Sequence, residues 1–196
     1  MNLNQTETLK NLMRALAGET LARNRYEMAA EAAEREQLPV LSAVFRYTAG
    51  QEKEHAEVFA QLLQQGGARP PECCAAFPVD LSADLLSLLT EAAQNEAREH
   101  EQIYPAFAAE ARKEGFGEIA RKLEQIARVE QCHAGRFEAF RKLLAENKLF
   151  VSDAACGWIC LNCGHELTAQ AAPEQCPVCG KAGFFLRVEM SPYSYQ

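Results

Sequence analysis

Seven polar residues sit in this chain where a helical core expects leucine. Four long segments carry apolar residues at alternating spacings of three and four, the period of a buried helical stripe. The first stripe reads Leu9, Leu12, Leu16, Glu19, Tyr26, Ala30, Ala33, and the second Leu41, Val44, Thr48, Glu52, His55, Phe59, Leu62. The third reads Leu85, Leu89, Ala92, Glu96, Glu99, Ile103, Ala106, and the fourth Ile119, Leu123, Ile126, Glu130, His133, Phe137, Phe140, Leu144. Glu19, Glu52, His55, Glu96, Glu99, Glu130 and His133 each interrupt a stripe near mid-length. Antiparallel packing would bring all seven to one level of a bundle.

The periodicity predicts helices over about 5–35, from 39 to an end at Gly66-Gly67, 82–114 and 116–147. Asn4 and Glu7 have the spacing of a capping box ahead of the first, and Pro39 suits the first turn of the second. Glu19 precedes Glu52-x-x-His55 by 33 residues, and Glu96 precedes Glu130-x-x-His133 by 34, so the two halves read as a duplicated helical hairpin. A helix of about 27 residues is roughly 40 Å long, and some 15 extended residues reach at most about 50 Å. The stretch 66–81 can therefore cross the bundle end to end. The expected fold is an all-α, ferritin-like four-helix bundle with one long crossover.

Burying a lone ionised carboxylate costs several kcal/mol or more, and five glutamates together repel one another. A pair of metal ions resolves both problems. Hard oxygen ligands suit iron or manganese, and imidazole suits iron as well. In Glu-x-x-His the two side chains share one helix face. Two such pairs, plus one glutamate from each remaining helix, form the di-iron carboxylate pattern of bundles. Glu99 is extra to that symmetric six.

After residue 147 the helical period stops. Cys160-Leu-Asn-Cys163-Gly164 and Cys176-Pro-Val-Cys179-Gly180 form two C-x-x-C-G knuckles with 12 residues between them, a strong metal signal. On spacing alone zinc and iron are near even. The chain divides into a bundle, 1–149, and a linker plus small four-cysteine metal domain of β-hairpins and knuckles, 150–196, with its core at about 157–190. A domain this small needs its metal to fold. Cys156 breaks the knuckle spacing and is not expected to be a ligand. Cys132 reads as a helix-packing residue, Cys73 and Cys74 as incidental thiols of the crossover, and His100 as a surface or boundary residue.

The stretches Gly18-Glu19-Thr20-Leu21-Ala22-Arg23-Asn24-Arg25-Tyr26, Gln51-Glu52-Lys53-Glu54-His55-Ala56 and Glu96 through Tyr104-Pro105 resemble rubrerythrin, and the C-P-x-C-G knuckle with Trp158, Phe184 and Phe185 resembles rubredoxin. The resemblance covers nearly the whole chain. It implies a carboxylate-bridged di-iron site held by Glu19, Glu52, Glu96, Glu99, Glu130, His55 and His133, with Glu52 and Glu130 bridging. It implies that Glu99 and His55 exchange at one iron on reduction, and that Tyr26 and Tyr104 stand just behind the ligands. It also implies one iron held by Cys160, Cys163, Cys176 and Cys179. The activity implied is reduction of hydrogen peroxide to water in oxidative-stress defence. Electrons would come from an external donor, a rubredoxin or an NAD(P)H-dependent reductase, across a head-to-tail homodimer or larger assembly. Ferroxidase or iron storage is the alternative the bundle alone would fit, and a zinc-ribbon interaction protein is a third.

The net charge of −7 disfavours nucleic acid and anionic membranes as partners. No segment approaches the roughly 18 to 20 apolar residues of a membrane span, and residues 1–10 lack the apolar middle of a signal peptide. A cytoplasmic location is expected. A reducing compartment also favours metal ligation over disulfides for the eight cysteines.

Overall fold

Two helical hairpins form the bundle. The computed structural model describes residues 2–69, 74–79 and 82–191. Helix α1 spans Glu7–Arg35 and α2 spans Pro39–Gln65. The second hairpin comprises α3 (Leu85–Arg98), α4 (Tyr104–Lys113) and α5 (Gly117–Ala145). Thr6 caps α1, its hydroxyl accepting from the Leu9 N–H at 3.2 Å. The capping box expected of Asn4 and Glu7 does not form. Asn4 instead ties the chain start to the end of α2: its Nδ2 donates to the Gly67 carbonyl at 3.0 Å and its Oδ1 accepts from the Arg69 N–H at 2.7 Å.

The third helix departs from expectation. It starts at Leu85, capped by Asp84, rather than near residue 82. It is then interrupted by a π turn, Glu99–Ile103, in which the Tyr104 N–H bonds to the Glu99 carbonyl. Pro105 supplies a reason. It has no N–H, and in a continuous α-helix its ring would clash with the carbonyl of Glu101. The wider turn relieves that conflict, and π turns of this kind are frequent at functional sites. His100, half-buried within the turn, donates from Nδ1 to the Ala127 carbonyl of α5 at 2.8 Å.

The bundle interior is apolar at both ends and polar at its waist. One cluster packs Tyr26, Phe45, Leu89 and Phe137; the other packs Leu12, Phe59, Tyr104 and Leu123. Along each helical hairpin the sequence passes from one cluster to the other through the predicted ligands. Of the crossover, residues 74–79 run along α1: the Cys74 carbonyl accepts from Arg14 Nε at 3.4 Å, and the Pro78 carbonyl from Arg25 Nη1 at 3.4 Å. Positions 70–73 and 80–81 of the crossover, Cys73 included, lie outside the described residues.

The C-terminal module is a three-stranded antiparallel sheet of order β2-β1-β3, with β1 Val151–Cys160, β2 Glu166–Ala171 and β3 Phe185–Arg187. Trp158, Cys160, Cys176 and Phe185 form its own small core, and Trp158 Nε1 donates to the Ala169 carbonyl at 3.0 Å. The module also packs on the bundle. Leu186 joins the bundle's apolar cluster, and the Val40 N–H donates to the Gly183 carbonyl at 3.3 Å. Gly183 has φ +72, and a Cβ there would lie 2.9 Å from Pro39 Cδ, so this contact requires glycine twice over. Among the described residues no helix is long and apolar enough to cross a membrane.

Candidate metal centres

The waist holds two interlocking groups of buried ligand atoms. Glu19, Glu52, His55 and Glu130 form one; Glu52, Glu96, Glu130 and His133 form the other. Within each group one ligand atom per residue lies within 4.8 Å of all the others. Glu52 and Glu130 belong to both, as bridging carboxylates would. His133 Nδ1 lies 2.8 Å from Glu130 Oε2, 2.9 Å from Glu52 Oε1 and 3.7 Å from Glu96 Oε2. His55 Nδ1 lies 3.0 Å from Glu130 Oε1, 3.1 Å from Glu52 Oε2 and 3.8 Å from Glu19 Oε2. The two imidazole rings stack at 5.7 Å.

These contacts are short but mostly lack hydrogen-bond geometry. Among the described residues, Glu19 Oε2, Glu52 Oε1, Glu96 Oε2, both Glu130 oxygens and His133 Nδ1 are buried with no hydrogen-bond partner. Buried polar atoms are normally satisfied. Here they converge on shared points rather than on one another, the arrangement a pair of cations completes. The donor set of carboxylates and imidazoles suits iron.

Each helix hairpin steadies the ligands of the other. The Tyr26 hydroxyl of α1 donates to Glu96 Oε1 of α3, and the Tyr104 hydroxyl of α4 donates to Glu19 Oε1 of α1. Tyr104 lies five residues after Glu99, poorly aligned for an α-helix; the π turn makes that interval a single turn. Glu99 falls outside both four-residue groups, with His55 in the first group instead. Burial pushes Glu99 up to about 8, helped by the charges of Glu130 and Glu52.

Two neighbours carry no signal in the apolar periodicity. Gln51 Oε1 accepts from His133 Nε2 at 3.1 Å and from Arg136 Nη1 at 2.9 Å, and Arg136 also donates to Thr48 Oγ1 at 2.9 Å. Once a metal displaces the Nδ1 proton, this bond would keep the remaining proton on Nε2, as outer hydrogen bonds to ligating histidines commonly do. Their flanking positions, one before Glu52 and three after His133, are the only clue the sequence offers.

In the module the four cysteines converge. Sγ separations are 3.8 Å for Cys160 and Cys179 and 3.6 Å for Cys163 and Cys176. A tetrahedron with metal–sulfur bonds of about 2.3 Å has edges of about 3.8 Å, whereas a disulfide requires about 2.05 Å. Gly164 and Gly180, at φ +75 and +70, close the two knuckles. The Lys181 N–H, first among several hydrogen bonds, holds Cys179 down to about 6, while burial pushes Cys160 up. Cys156 is half-buried on β1 and outside the cluster, as expected. Cys132 is exposed, not a packing residue, because it projects from the opposite side of α5 to the buried stripe. Cys74 is exposed as well.

Comparison with known proteins now decides the family. A family model described as rubrerythrin matches residues 10–144, and one described as rubrerythrin, rubredoxin-like domain, matches residues 158–184. The chain belongs to the rubrerythrin family. The rubrerythrin of Nitratidesulfovibrio vulgaris is 39% identical over 187 residues, covering 94% of this chain and 96% of that protein. The rubrerythrin of Clostridium perfringens is 40% identical over 181 residues, covering 91% and 92%. A structure of nigerythrin in its fully reduced, all-ferrous state superposes with a TM-score of 0.61 at 27% identity, covering 95% of this chain and 93% of that one. The chain is thus an iron-binding oxidoreductase, with a di-iron site of carboxylate and histidine ligands at the bundle waist and a rubredoxin-like four-cysteine site in the module.

The rubrerythrin waist predicts its own pH dependence. Burial opposes charge on the imidazoles, but the carboxylates outweigh it: Glu130 and Glu52 hold His133 at about 12, and Glu130 leads in raising His55. Both imidazoles therefore carry protons in the metal-free fold at neutral pH, and a metal must displace them. Loading the metal-free protein with ferrous ion should release protons at pH 7, and apparent affinity should weaken as pH falls. Calorimetry in buffers of different ionisation enthalpy measures this; zero proton release would contradict the assignment of both histidines as ligands.

Proposed function

We propose that this chain reduces hydrogen peroxide to water at the bundle waist, with electrons delivered through the four-cysteine site. The observation that carries the reading is the pairing, on one chain, of a two-metal oxygen- and nitrogen-ligand site with a sulfur-ligand site. Hydrogen peroxide needs two electrons and two protons to become two waters. Glu19, Glu52, Glu96, Glu130, His55 and His133 would hold two irons, which would supply two electrons and Lewis acidity.

The protein's own residues do the rest. Glu52 and Glu130, shared by both groups, would hold both metals. Burial pushes Glu19 and Glu96 well above the usual carboxylate range, and the two tyrosines hold them in place. Tyr26 and Tyr104, their own titration raised by burial, keep their protons at neutral pH and can pass them inward at the hydroxyl. Glu99, with its raised titration, holds a proton beside the site. The apolar clusters on either side exclude bulk water.

Ferroxidase or storage chemistry has no need of a fused one-electron carrier, which favours the peroxidase reading. The electron donor is a rubredoxin or an NAD(P)H-dependent reductase, the compartment is cytoplasmic, and the assembly is a head-to-tail homodimer or larger. The bundle, 1–149, and the module, 150–196, act as separate redox domains. Purified protein should contain three irons per chain and, with a reductase and a rubredoxin, consume peroxide with one NAD(P)H oxidised per peroxide. Iron uptake into a mineral core without peroxide consumption would replace this reading with storage, and zinc in the four-cysteine site would remove the electron route.

A further inference from the structure

A cavity that reaches Glu99 and Tyr104 has more apolar space than hydrogen peroxide can use. It measures about 180 Å³, opens at the surface, and lies between α1, the third helix and the crossover segment at residues 75–78. Its floor is formed by Glu99 and Tyr104, the two residues that border the di-iron ligands on this side. Ala15, Phe77, Pro78, Ile103 and Phe107 supply apolar wall. Three arginines also border it, two of them hydrogen-bonded elsewhere and one exposed. Arg14 pairs with Glu7 at 2.6 Å and Asn11 at 2.7 Å, Arg25 donates to the Pro78 carbonyl, and Arg98 is exposed.

Hydrogen peroxide is small and polar and needs no such wall. An apolar cavity of about 150 Å³ is enough to hold a benzene ring. We propose that this cavity binds the organic part of small alkyl and aralkyl hydroperoxides, and that the chain reduces them as well as hydrogen peroxide. The proposal rests on the peroxidase reading and names a wider substrate class for the same site. The organic group packs against Phe77, Ile103 and Phe107, which directs the –OOH end at the Glu99 and Tyr104 floor. The hydroperoxide ROOH takes two electrons and two protons, its O–O bond breaks, and ROH and water leave. The electrons are those of the reduced di-iron site, replenished by the external one-electron donor.

Gly18 gives a clean test. It lines the cavity, and a Cβ built there meets nothing closer than Phe77 Cε1 at 3.8 Å. Gly18→Leu therefore fills the space without a backbone clash and improves helix propensity. Ala106→Trp, at an exposed position on the rim, narrows the mouth and serves as the second variant. Two readouts apply to the iron-loaded protein. Calorimetry with 2-phenyl-2-propanol, the alcohol product of cumene hydroperoxide, should show saturable binding that weakens about tenfold or more in Gly18→Leu. The ratio of kcat/KM for cumene hydroperoxide to that for hydrogen peroxide should fall by a similar factor in both variants. Turnover of hydrogen peroxide with no alcohol binding, or a ratio unmoved by both variants, would overturn the proposal. Absence of turnover with either peroxide would instead overturn the peroxidase reading beneath it.

Discussion

Glu130→Ala should abolish peroxide turnover and strip iron from the bundle while leaving the four-cysteine site intact. Glu130 belongs to both ligand groups, and its two oxygens approach His55 and His133 separately at 3.0 and 2.8 Å. Loss of an outer hydrogen-bonding partner of a ligand typically costs 10- to 100-fold in metal affinity or activity, so loss of a shared ligand should exceed about 100-fold. The variant also leaves Glu19, Glu52 and Glu96 buried beside one another with less positive charge to offset them, so its iron-loaded form should melt below the parent. Iron analysis, the visible spectrum of the four-cysteine site and peroxide consumption measure all three effects. Two bundle irons with unchanged turnover would remove Glu130 from the site.

Cys163→Ser should have the opposite signature. It opens the four-cysteine tetrahedron at an exposed corner, leaving Trp158 and Phe185 in the module core and Leu186 in the bundle core. A chemically reduced bundle should still react once with peroxide at the parental rate. Donor-driven steady-state turnover should fall by about 100-fold or more, the cost of losing a ligand at a metal site. Stopped-flow single turnover and steady-state rates separate the two. Undiminished donor-driven turnover would make the module structural. Mixing the two variants then reveals the electron route. Recovery of turnover in mixed assemblies means that electrons cross between subunits, as a head-to-tail dimer requires. Failure to recover means that each module serves the bundle on which it packs here, beside the cavity that Arg136 and Cys160 both line.

The buried cluster at the waist was legible because it violated the pattern around it. Glutamate in a stripe of leucine and alanine is conspicuous, and two repeats in register made the violation a design. The four cysteines were legible for the same reason, through fixed spacing. The position of Glu99 was not, because periodicity assumes an unbroken α-helix and cannot say which of two candidate ligands faces the metals. Pro105 was the available warning that the helix was not continuous. Gln51 and Arg136 were hidden because their polar side chains lie at the edge of the stripe, where glutamine and arginine are ordinary. Cys132 was misplaced because its neighbour His133 lies about 100° round the helix, enough to take Cys132 off the buried stripe.

The π turn sets a limit on how this chain can tolerate insertions and deletions. Each residue advances an α-helix by about 100°. Removing one residue between Glu99 and Ile103 would force the segment toward α-helical pitch against Pro105, and it would swing either Glu99 or Tyr104 off the waist, together with everything that follows it up to the α4–α5 turn. The loop around Gly115 lies at the far end of the same helix, where a length change disturbs no ligand. Length variation among natural sequences of this type should therefore gather at that loop and in the crossover, and be absent from a five-residue window that looks, letter by letter, like ordinary helix.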